Sequence, residues 1–273
     1  MRSNNLLVLL LPSTTAFDLA FRGSCRFFLG TADVAEYRSL LPLGMFHGVT
    51  CNPTILQRCG VPNTVDAISN LAKSAFDLGA EEFMCQAWGG SADNLYTTGL
   101  LLRAIDPERV VVKLPITSSG VEAAARLMRE PEGGTRGSRT RICFTACYGN
   151  AQALIAGAAG AEYLAPYLGR MTDAGKDGMD ECDKMDKICK GLGSGTRILV
   201  ASIRDVDSMA TLAARGVDTF TFSPAIARAL FLEPLTDAAA VDFEEAAQAN
   251  DCDPHCSIDD WRATTVGPSA IVE

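Results

Sequence analysis

The sequence predicts an α/β protein that folds as a (β/α)8 TIM barrel with an extra C-terminal helix. Three observations predict this fold. Eight short β-rich segments alternate with helical patterns between residues 26 and 235, as in a succession of βαβ units. Several of these segments are continuous apolar runs, such as Val110-Val-Val112, which are typical of parallel strands covered by helices on both faces. A length of 273 residues suits one such barrel.

The strand candidates are spread along the whole of this region. They are Arg26–Leu29, Gly48–Cys51, Glu82–Ala87, Arg109–Leu114, Arg141–Thr145, Glu162–Ala165, Arg197–Ala201 and Asp218–Phe222. A doubly wound open sheet is the rival arrangement of the same strands. Its nucleotide-binding version is disfavoured because no G-x-G-x-x-G motif follows the first candidate.

Helix signals fill the gaps between the strand candidates. Asp33-Val-Ala-Glu36 has the capping-box pattern that begins a helix. Thr64–Leu78 collects apolar residues on one face at helical spacing. Ser119–Met128 and Ala151–Ala159 are rich in alanine, the best helix former. A further helix, Asp237–Ala249, follows the eighth strand, so it has to lie outside a closed barrel.

The two ends of the chain do not fit the barrel pattern. The start is interpreted as a presequence or a disordered tail, because the apolar run Leu6–Leu11 follows Arg2 and few acids precede Asp33. The compartment is therefore left open between the cytoplasm and an organelle. No segment has the roughly 20 apolar residues that cross a bilayer, so no membrane partner is expected. The predicted divisions are 1–25 for the tail, 26–235 for the catalytic barrel and 236–273 for the C-terminal helix and polar tail.

The composition excludes several classes of protein. The chain has 24 basic and 33 acidic side chains, a formal net charge of −9 and no basic run, so nucleic acid is not an expected partner. Ten cysteines are dispersed along the chain, and those in apolar strands, such as Cys85 and Cys143, suit buried free thiols. The only metal-like spacing, Cys252-x-x-x-Cys256 around His255, lacks a second ligand pair. With two histidines in the chain, we expect neither a metal nor another cofactor.

One lysine stands out at the end of a strand candidate. The reacting groups of such barrels sit at the C-terminal ends of the strands, and Lys113 follows Val110-Val-Val112 in the most apolar of them. Burial disfavours the ammonium form of a lysine, and the neutral amine is the form that attacks a ketone to make a Schiff base. The alternative is a structural lysine whose ammonium group reaches into solvent.

Five motifs, taken together, resemble the transaldolase family. They are Phe27-Phe-Leu-Gly-Thr-Ala-Asp33, Gly48-Val-Thr-Cys-Asn-Pro53, Val110-Val-Val-Lys-Leu-Pro-Ile-Thr117, Ala161-Glu-Tyr-Leu-Ala-Pro-Tyr-Leu-Gly-Arg170 and Val200-Ala-Ser-Ile-Arg204. The similarity extends from about Phe27 to Phe243, with the motifs in the order and spacing of the family. The chain is most similar to the small-subunit branch that includes fructose 6-phosphate aldolases.

The resemblance implies a class I aldolase of carbohydrate and pentose phosphate metabolism. Lys113 would form a Schiff base with a dihydroxyacetone unit of a ketose phosphate such as fructose 6-phosphate. Gln86 and Thr145 would hold a catalytic water, with the Tyr167 phenol near it as an acid or base. As an alternative, Gln86 and Thr145 would only satisfy neighbouring backbone groups. The resemblance also implies a homo-oligomer built partly through the C-terminal helix.

The resemblance further implies a set of residues that bind the substrate. Thr50 and Asn52 lie at the end of the second strand candidate, where Asn52 would hydrogen-bond a substrate hydroxyl or, alternatively, only cap the following turn. Ser202, Arg204 and Arg170 would bind the sugar phosphate, because the planar fork of arginine meets two phosphate oxygens at once. The alternative is a pair of ordinary surface arginines on βα loops.

Departures from the family pattern bear on the reaction. Gln86 and Tyr167 stand where transaldolases typically have glutamate and phenylalanine, which favours release of free dihydroxyacetone over its transfer. Gly30 stands where the family has an aspartate that assists proton transfer, and losing such a group removes a factor of roughly 10²–10⁴ in rate. We therefore expect an aldolase of reduced activity or, as the alternative, an impaired relative that binds sugar phosphates. A metal-dependent aldolase is disfavoured by the scarcity of histidine.

Overall fold

Eight parallel strands close into a barrel. The computed structural model describes residues 24–130 and 139–249. The strands are β1 (Arg26–Gly30), β2 (Phe46–Thr50), β3 (Glu82–Gln86), β4 (Val110–Pro115), β5 (Ile142–Cys147), β6 (Tyr163–Pro166), β7 (Arg197–Val200) and β8 (Thr219–Phe222). They pair in chain order, and β1 pairs with β8 to complete the ring. The predicted (β/α)8 barrel is confirmed, and the open-sheet alternative is wrong.

Helices alternate with these strands. They are α1 (Val34–Leu40), α2 (Pro53–Arg58), α3 (Val65–Asp77), α4 (Ala92–Arg103), α5 (Ser118–Leu127), α6 (Gln152–Ala159), α7 (Leu168–Asp173), α8 (Gly178–Gly191), α9 (Val206–Ala214), α10 (Pro224–Ala229) and α11 (Pro234–Ala249). A short 3-10 turn, Leu41–Leu43, follows α1. One compact unit ends at Ala229, and a second begins at Leu230 and contains the extra helix α11.

Several sequence predictions fall on the ends of the chain. Within the described ranges, no helix is both long and apolar enough to cross a membrane. The candidate presequence, apart from Ser24 and Cys25, and the polar tail with its Cys252-x-x-x-Cys256 spacing lie outside the described residues. The predicted domain boundaries and the homo-oligomer stay predictions.

Side-chain caps explain where two of the predicted helices begin. Asp33 accepts a hydrogen bond from the N–H of Ala35 at the start of α1, and Thr64 accepts one from Ala67 at the start of α3. Each cap satisfies a backbone donor that has no partner within its helix. The apolar face predicted for α3 is the face it buries, with Ile68, Leu71, Ala72 and Ala75.

The second strand begins two residues before its predicted start at Gly48. Phe46 pairs with Phe27, and a register shift follows that pair in β1. Cys51, the predicted last residue, falls just beyond the strand, although its N–H still donates to the carbonyl of Met84 at 2.8 Å. The apolar pattern placed the strand correctly, but the irregular pairing set its boundary.

The barrel interior has an apolar layer with polar groups above it. The apolar layer consists of side chains that are 0% exposed: Phe28, Met84, Val111, Cys143, Tyr163, Ala165 and Leu199. Because side chains alternate along a strand, residues two positions further on also face inward. Gln86, Lys113 and Thr145 are therefore placed at the carboxyl end of the barrel, above the apolar layer.

Charged side chains close the opposite, amino-terminal end of the barrel. Glu82 is 5% exposed, and its Oε1 lies 2.6 Å from Arg141 Nη2 and 2.9 Å from His47 Nε2. The Tyr163 hydroxyl donates to Glu82 Oε2 at 2.8 Å. Burial by itself raises the pKa of Glu82, but its contacts with His47 and Arg141 outweigh that effect and bring the pKa to about 2.

Glu82 is expected to make stability depend on pH in acid. The folded pKa of about 2 lies below the roughly 4.3 of an unfolded glutamate. The carboxylate therefore stabilises the fold above about pH 4.3, and this contribution, on the order of 3 kcal/mol, is lost as the pH falls through the folded pKa. Urea unfolding across this pH range should show the loss in the wild type, and Glu82→Gln should remove most of it. Glu122→Gln, on the exposed side of α5, is the matched control; an acid profile unchanged by Glu82→Gln would contradict the prediction.

Candidate active site

A cavity of about 480 Å³ opens at the carboxyl ends of the strands. This volume is in the range of small-molecule sites. The structure brings seven of the nine predicted site residues into its lining: Thr50, Asn52, Lys113, Tyr167, Arg170, Ser202 and Arg204. The other two, Gln86 and Thr145, lie beside the cavity in the barrel wall, where Gln86 pairs in register with Lys113 and Thr145 contacts Tyr167.

Lys113 lies within β4 and points into the barrel. It is 3% exposed, and its register partners on the neighbouring strands are Gln86 and Cys143. Strand β4 can bury a lysine here because the rest of the strand is apolar and the end of the side chain meets the cavity. The structural alternative requires the ammonium group to reach bulk solvent. The buried side chain of Lys113 does not do so.

The groups around Lys113 carry little negative charge. Burial raises the pKa of Cys51 and of Cys143 to about 12, although the charge of Lys113 acts in the opposite direction. Both thiols are therefore protonated near neutral pH. Among the described residues that line the cavity there is no carboxylate, so the Lys113 amine has no carboxylate partner there.

A network of hydroxyl and aromatic groups forms one side of the site. The Thr145 and Tyr167 hydroxyls are 3.0 Å apart. The rings of Tyr148 and Tyr167 meet edge to face at 5.7 Å. Arg170 donates from Nη1 to the Tyr148 hydroxyl at 3.4 Å, and its guanidinium lies 5.1 Å from the centre of the Tyr167 ring. This network joins Arg170 to the Thr145 and Tyr167 hydroxyl pair.

The end of β2 supplies an amide and a hydroxyl. Asn52 Oδ1 accepts a hydrogen bond from the N–H of Ile55 at 2.9 Å and caps α2, so the capping role considered for this residue is present. Its amide nitrogen is the group left to meet a ligand. Thr50 Oγ1 lies 2.7 Å from Thr221 Oγ1 on β8, and both threonines line the cavity.

Gly169 lets two segments that are expected to bind phosphate approach each other. One carries Arg170, and the other carries Ser202 and Arg204. The Gly169 N–H donates to the Ser202 carbonyl at 3.0 Å. A Cβ at Gly169 would lie 2.5 Å from that oxygen and 2.6 Å from Arg204 Nε, which no side chain permits. Ser202 itself has a φ of 59°, a left-handed conformation that is uncommon outside glycine and often marks a functional site. Arg170, the residue after Gly169, is thereby placed beside Ser202 and Arg204.

The structure adds two residues that the sequence analysis missed. Arg58, the last residue of α2, lines the cavity, and Tyr148 contacts both Arg170 and Tyr167. Tyr148 directly follows β5, which ends at Cys147 rather than at the predicted Thr145. A correct end for this strand would have identified Tyr148, because residues just beyond barrel strands form the site. Within the described residues, no group of three or more histidine, cysteine or acidic side chains is placed to hold a metal.

These features define a (β/α)8-barrel protein with a buried lysine beside a polar, cationic cavity at the carboxyl ends of its strands. A family profile described as Transaldolase/Fructose-6-phosphate aldolase matches residues 27–260. The chain belongs to this family, as its motifs predict. Membership of the family indicates an enzyme function of the aldolase type.

Individual relatives agree with this assignment. A protein named as a probable transaldolase in Caulobacter sp. (strain K31) is 34% identical over 216 residues, which cover 79% of this chain and 93% of the relative. Another of the same name in Rhodospirillum centenum is 32% identical over 219 residues, covering 80% of this chain and 89% of the relative. A lyase/mutase structure from Burkholderia cenocepacia J2315 is 16% identical, with a TM-score of 0.50, and covers 92% of this chain and 95% of that chain. That likeness supports the barrel fold alone.

Proposed function

We propose that the protein is a class I aldolase that cleaves ketose phosphates such as fructose 6-phosphate through a Schiff base on Lys113. The observation that carries this proposal is the 3% exposure of a lysine whose side chain lines the cavity. A primary amine that is shielded from solvent, yet reachable by a ligand, suits attack on a ketone. Hydroxyl, amide and guanidinium groups around it suit a phosphorylated sugar.

The reaction would proceed in three steps. Lys113 Nζ attacks the ketone carbon C2, and loss of one water molecule gives an iminium ion. The iminium accepts the electron pair of the C3–C4 bond while the hydroxyl on C4 gives up its proton, so the C4 fragment leaves as an aldehyde. The enamine that remains takes a proton at C3, and water then releases dihydroxyacetone and restores the amine.

The hydroxyl pair beside Lys113 would move the protons. Thr145 and Tyr167 are 3.0 Å apart, and Gln86 is the register partner of Lys113. We propose that Gln86 and Thr145 hold a water that exchanges protons with Tyr167 and the substrate. Glutamine and tyrosine at these positions favour hydrolytic release of dihydroxyacetone over its transfer to a second aldehyde.

The remaining lining residues would bind and orient the sugar. Arg170, Ser202 and Arg204 would hold the terminal phosphate, since two guanidinium groups and a hydroxyl lie on one wall of the cavity. Asn52 would donate from its amide nitrogen to a hydroxyl of the dihydroxyacetone unit. Binding at both ends keeps C2 beside Lys113, which is how a positioned site lowers the barrier to attack.

Gly30 supports a second candidate function, a relative that binds sugar phosphates with little turnover. Gly30 lines the cavity, where the resemblance implies an aspartate that accepts the proton of a substrate hydroxyl. Without that carboxylate the Schiff base can still form, because its formation depends on the Lys113 amine. Cleavage would then be slow, since the proton on C4 has a poorer acceptor.

Borohydride trapping tests the Schiff base itself. Treatment with fructose 6-phosphate and sodium borohydride should add the mass of a reduced adduct, which peptide mapping should place on Lys113. Lys113→Ala should lose the adduct. Lys73→Ala, which removes an exposed lysine of α3, is the matched control and should keep it. The proposal is rejected if no adduct forms or if the adduct persists in Lys113→Ala.

A further inference from the structure

Tyr148 contacts two residues of the proposed site, each through a different part of its side chain. Its hydroxyl accepts a hydrogen bond from Arg170 Nη1 at 3.4 Å, and its ring meets the Tyr167 ring edge to face at 5.7 Å. The Arg170 guanidinium lies 5.1 Å from the centre of the Tyr167 ring, so the three side chains form a closed triangle. Tyr148 is not among the described residues that line the cavity. It can therefore act on a ligand only through these two neighbours.

An irregularity in β5 turns Tyr148 towards Tyr167. Thr145 and Tyr148 are three positions apart, so strict alternation along a strand would place them on opposite faces. The register with β6 shifts within the last residues of β5, and Ala146 has a φ of 57°. A bulge re-aims the side chains that follow it, and left-handed residues other than glycine are concentrated at functional sites. Both Thr145 and Tyr148 consequently reach Tyr167.

The backbone around Tyr148 is held without the help of its side chain. Gln152 Oε1, at the start of α6, accepts hydrogen bonds from the N–H of Tyr148 at 2.8 Å and of Gly149 at 3.2 Å. Lys176 Nζ donates to the carbonyl of Tyr148 at 2.5 Å. These contacts fix the loop after β5, so the hydroxyl and ring of Tyr148 are not needed to hold it. The side chain is left to serve Arg170 and Tyr167.

The Tyr148 hydroxyl holds Arg170 without a counter-charge. Arg204 Nη2 lies 2.6 Å from Asp173 Oδ2, so a carboxylate balances part of the charge of Arg204. A phenol is uncharged near neutral pH, so it directs the Arg170 guanidinium and leaves the positive charge for an anionic ligand. Arg170 is exposed, and a contact that is already made before binding reduces the side-chain entropy that binding a phosphate removes.

We propose that Tyr148 is a positioning residue, whose hydroxyl directs Arg170 at the sugar phosphate and whose ring holds the Tyr167 phenol against Thr145. The inference rests on the proposed function, which gives Arg170 and Tyr167 their roles. The hydroxyl of Tyr148 then contributes to the preference for phosphorylated ketoses. Its ring contributes to proton transfer, whether or not the ketone carries a phosphate.

Borohydride trapping with two ketones tests the role of the hydroxyl. Fructose 6-phosphate carries the phosphate that Arg170 would bind, whereas dihydroxyacetone offers the ketone alone. Tyr148→Phe removes the hydroxyl and keeps the ring. It should lower the preference for fructose 6-phosphate, measured as the ratio of the two trapping rates at low concentration, about fivefold. Tyr96→Phe is the matched control, because it removes a hydroxyl of α4 that donates to Glu130, and it should keep the wild-type preference.

A double variant tests whether the hydroxyl acts through Arg170. Arg170→Gln removes the guanidinium and should itself lower the preference for fructose 6-phosphate. Tyr148→Phe should cause no further loss in that background, because the effects of two groups that form one contact are not additive. A preference unchanged by Tyr148→Phe alone, or a full fivefold loss in the Arg170→Gln background, would overturn the role of the hydroxyl.

Hydrogen exchange of dihydroxyacetone in D2O tests the role of the ring. The iminium on Lys113 gives up a carbon-bound proton to form the enamine, and the reverse step returns a deuteron, so the exchange needs proton transfer but no C–C cleavage. Tyr148→Leu removes the ring and should exchange about tenfold more slowly than Tyr148→Phe, as followed by NMR. Thermal unfolding of both variants verifies the fold. Equal exchange rates in the two variants would reject the role of the ring.

Failure of the proposed function is distinct from failure of this inference. If Lys113 is not the nucleophile, neither ketone gives an adduct on it in the wild type. Adducts of both ketones on Lys113, combined with a wild-type preference in Tyr148→Phe and equal exchange in Tyr148→Leu, reject the inference about Tyr148 alone.

Discussion

Lys113→Arg is expected to lower the rate of dihydroxyacetone release by a factor on the order of 10⁴ or more. Arginine is also a long basic side chain, but its guanidinium stays protonated and offers no electron pair to a ketone. The substitution therefore removes the nucleophile and leaves a long basic side chain in its place. An assay of dihydroxyacetone formed from fructose 6-phosphate, with thermal unfolding in parallel, measures the loss of rate and verifies the fold.

A second substitution at Lys113 controls for a loss of rate that has a steric cause. Lys113 is 3% exposed, and a guanidinium is broader than an ammonium group. Lys113→Met has a similar length without the amine, so it should lose the same activity with little effect on packing. If either variant kept more than about a tenth of the wild-type rate, Lys113 would not be the nucleophile.

The fold could be predicted because its signals are local and repeated. Continuous apolar runs such as Val110-Val-Val112 and capped helix starts such as Asp33 can be identified within a few residues of sequence. The predicted strand boundaries were less accurate where pairing with a neighbouring strand decides where a strand begins or ends. Phe46 enters β2 through its contact with Phe27 on another strand, and β5 extends past Thr145 to Cys147.

Only those site residues that are unusual in their local sequence could be predicted. Lys113 was conspicuous because a charged side chain in a fully apolar strand needs an explanation. Arg58 and Tyr148 were missed because an arginine ending a helix and a tyrosine in a loop are ordinary in sequence. Their positions at the cavity or beside Arg170 come from the closure of the ring, which brings together residues that are far apart in the chain.

The space at Gly30 decides whether the missing carboxylate can be restored. A Cβ built on Gly30 would lie 3.1 Å from the Phe222 carbonyl oxygen and 3.3 Å from Thr221 Oγ1. These contacts are tight, but shifts of a few tenths of an ångström relieve them, and Gly30 has no positive φ. The hydroxyl of Thr221, itself 2.7 Å from that of Thr50, is near enough to donate to a new carboxylate.

Gly30→Asp is therefore expected to raise kcat for fructose 6-phosphate cleavage by roughly 10²–10⁴, the usual contribution of a positioned acid–base group. Gly30→Asn is the matched control, because it makes the same steric demand at Cβ but cannot accept the proton at neutral pH. Trapping of the Lys113 adduct should change little in either variant, since the amine is untouched. An equal gain in both variants would assign the effect to packing. A wild-type rate already normal for an aldolase, with no gain in Gly30→Asp, would show that the chain cleaves sugars without this carboxylate and would remove the impaired-relative alternative.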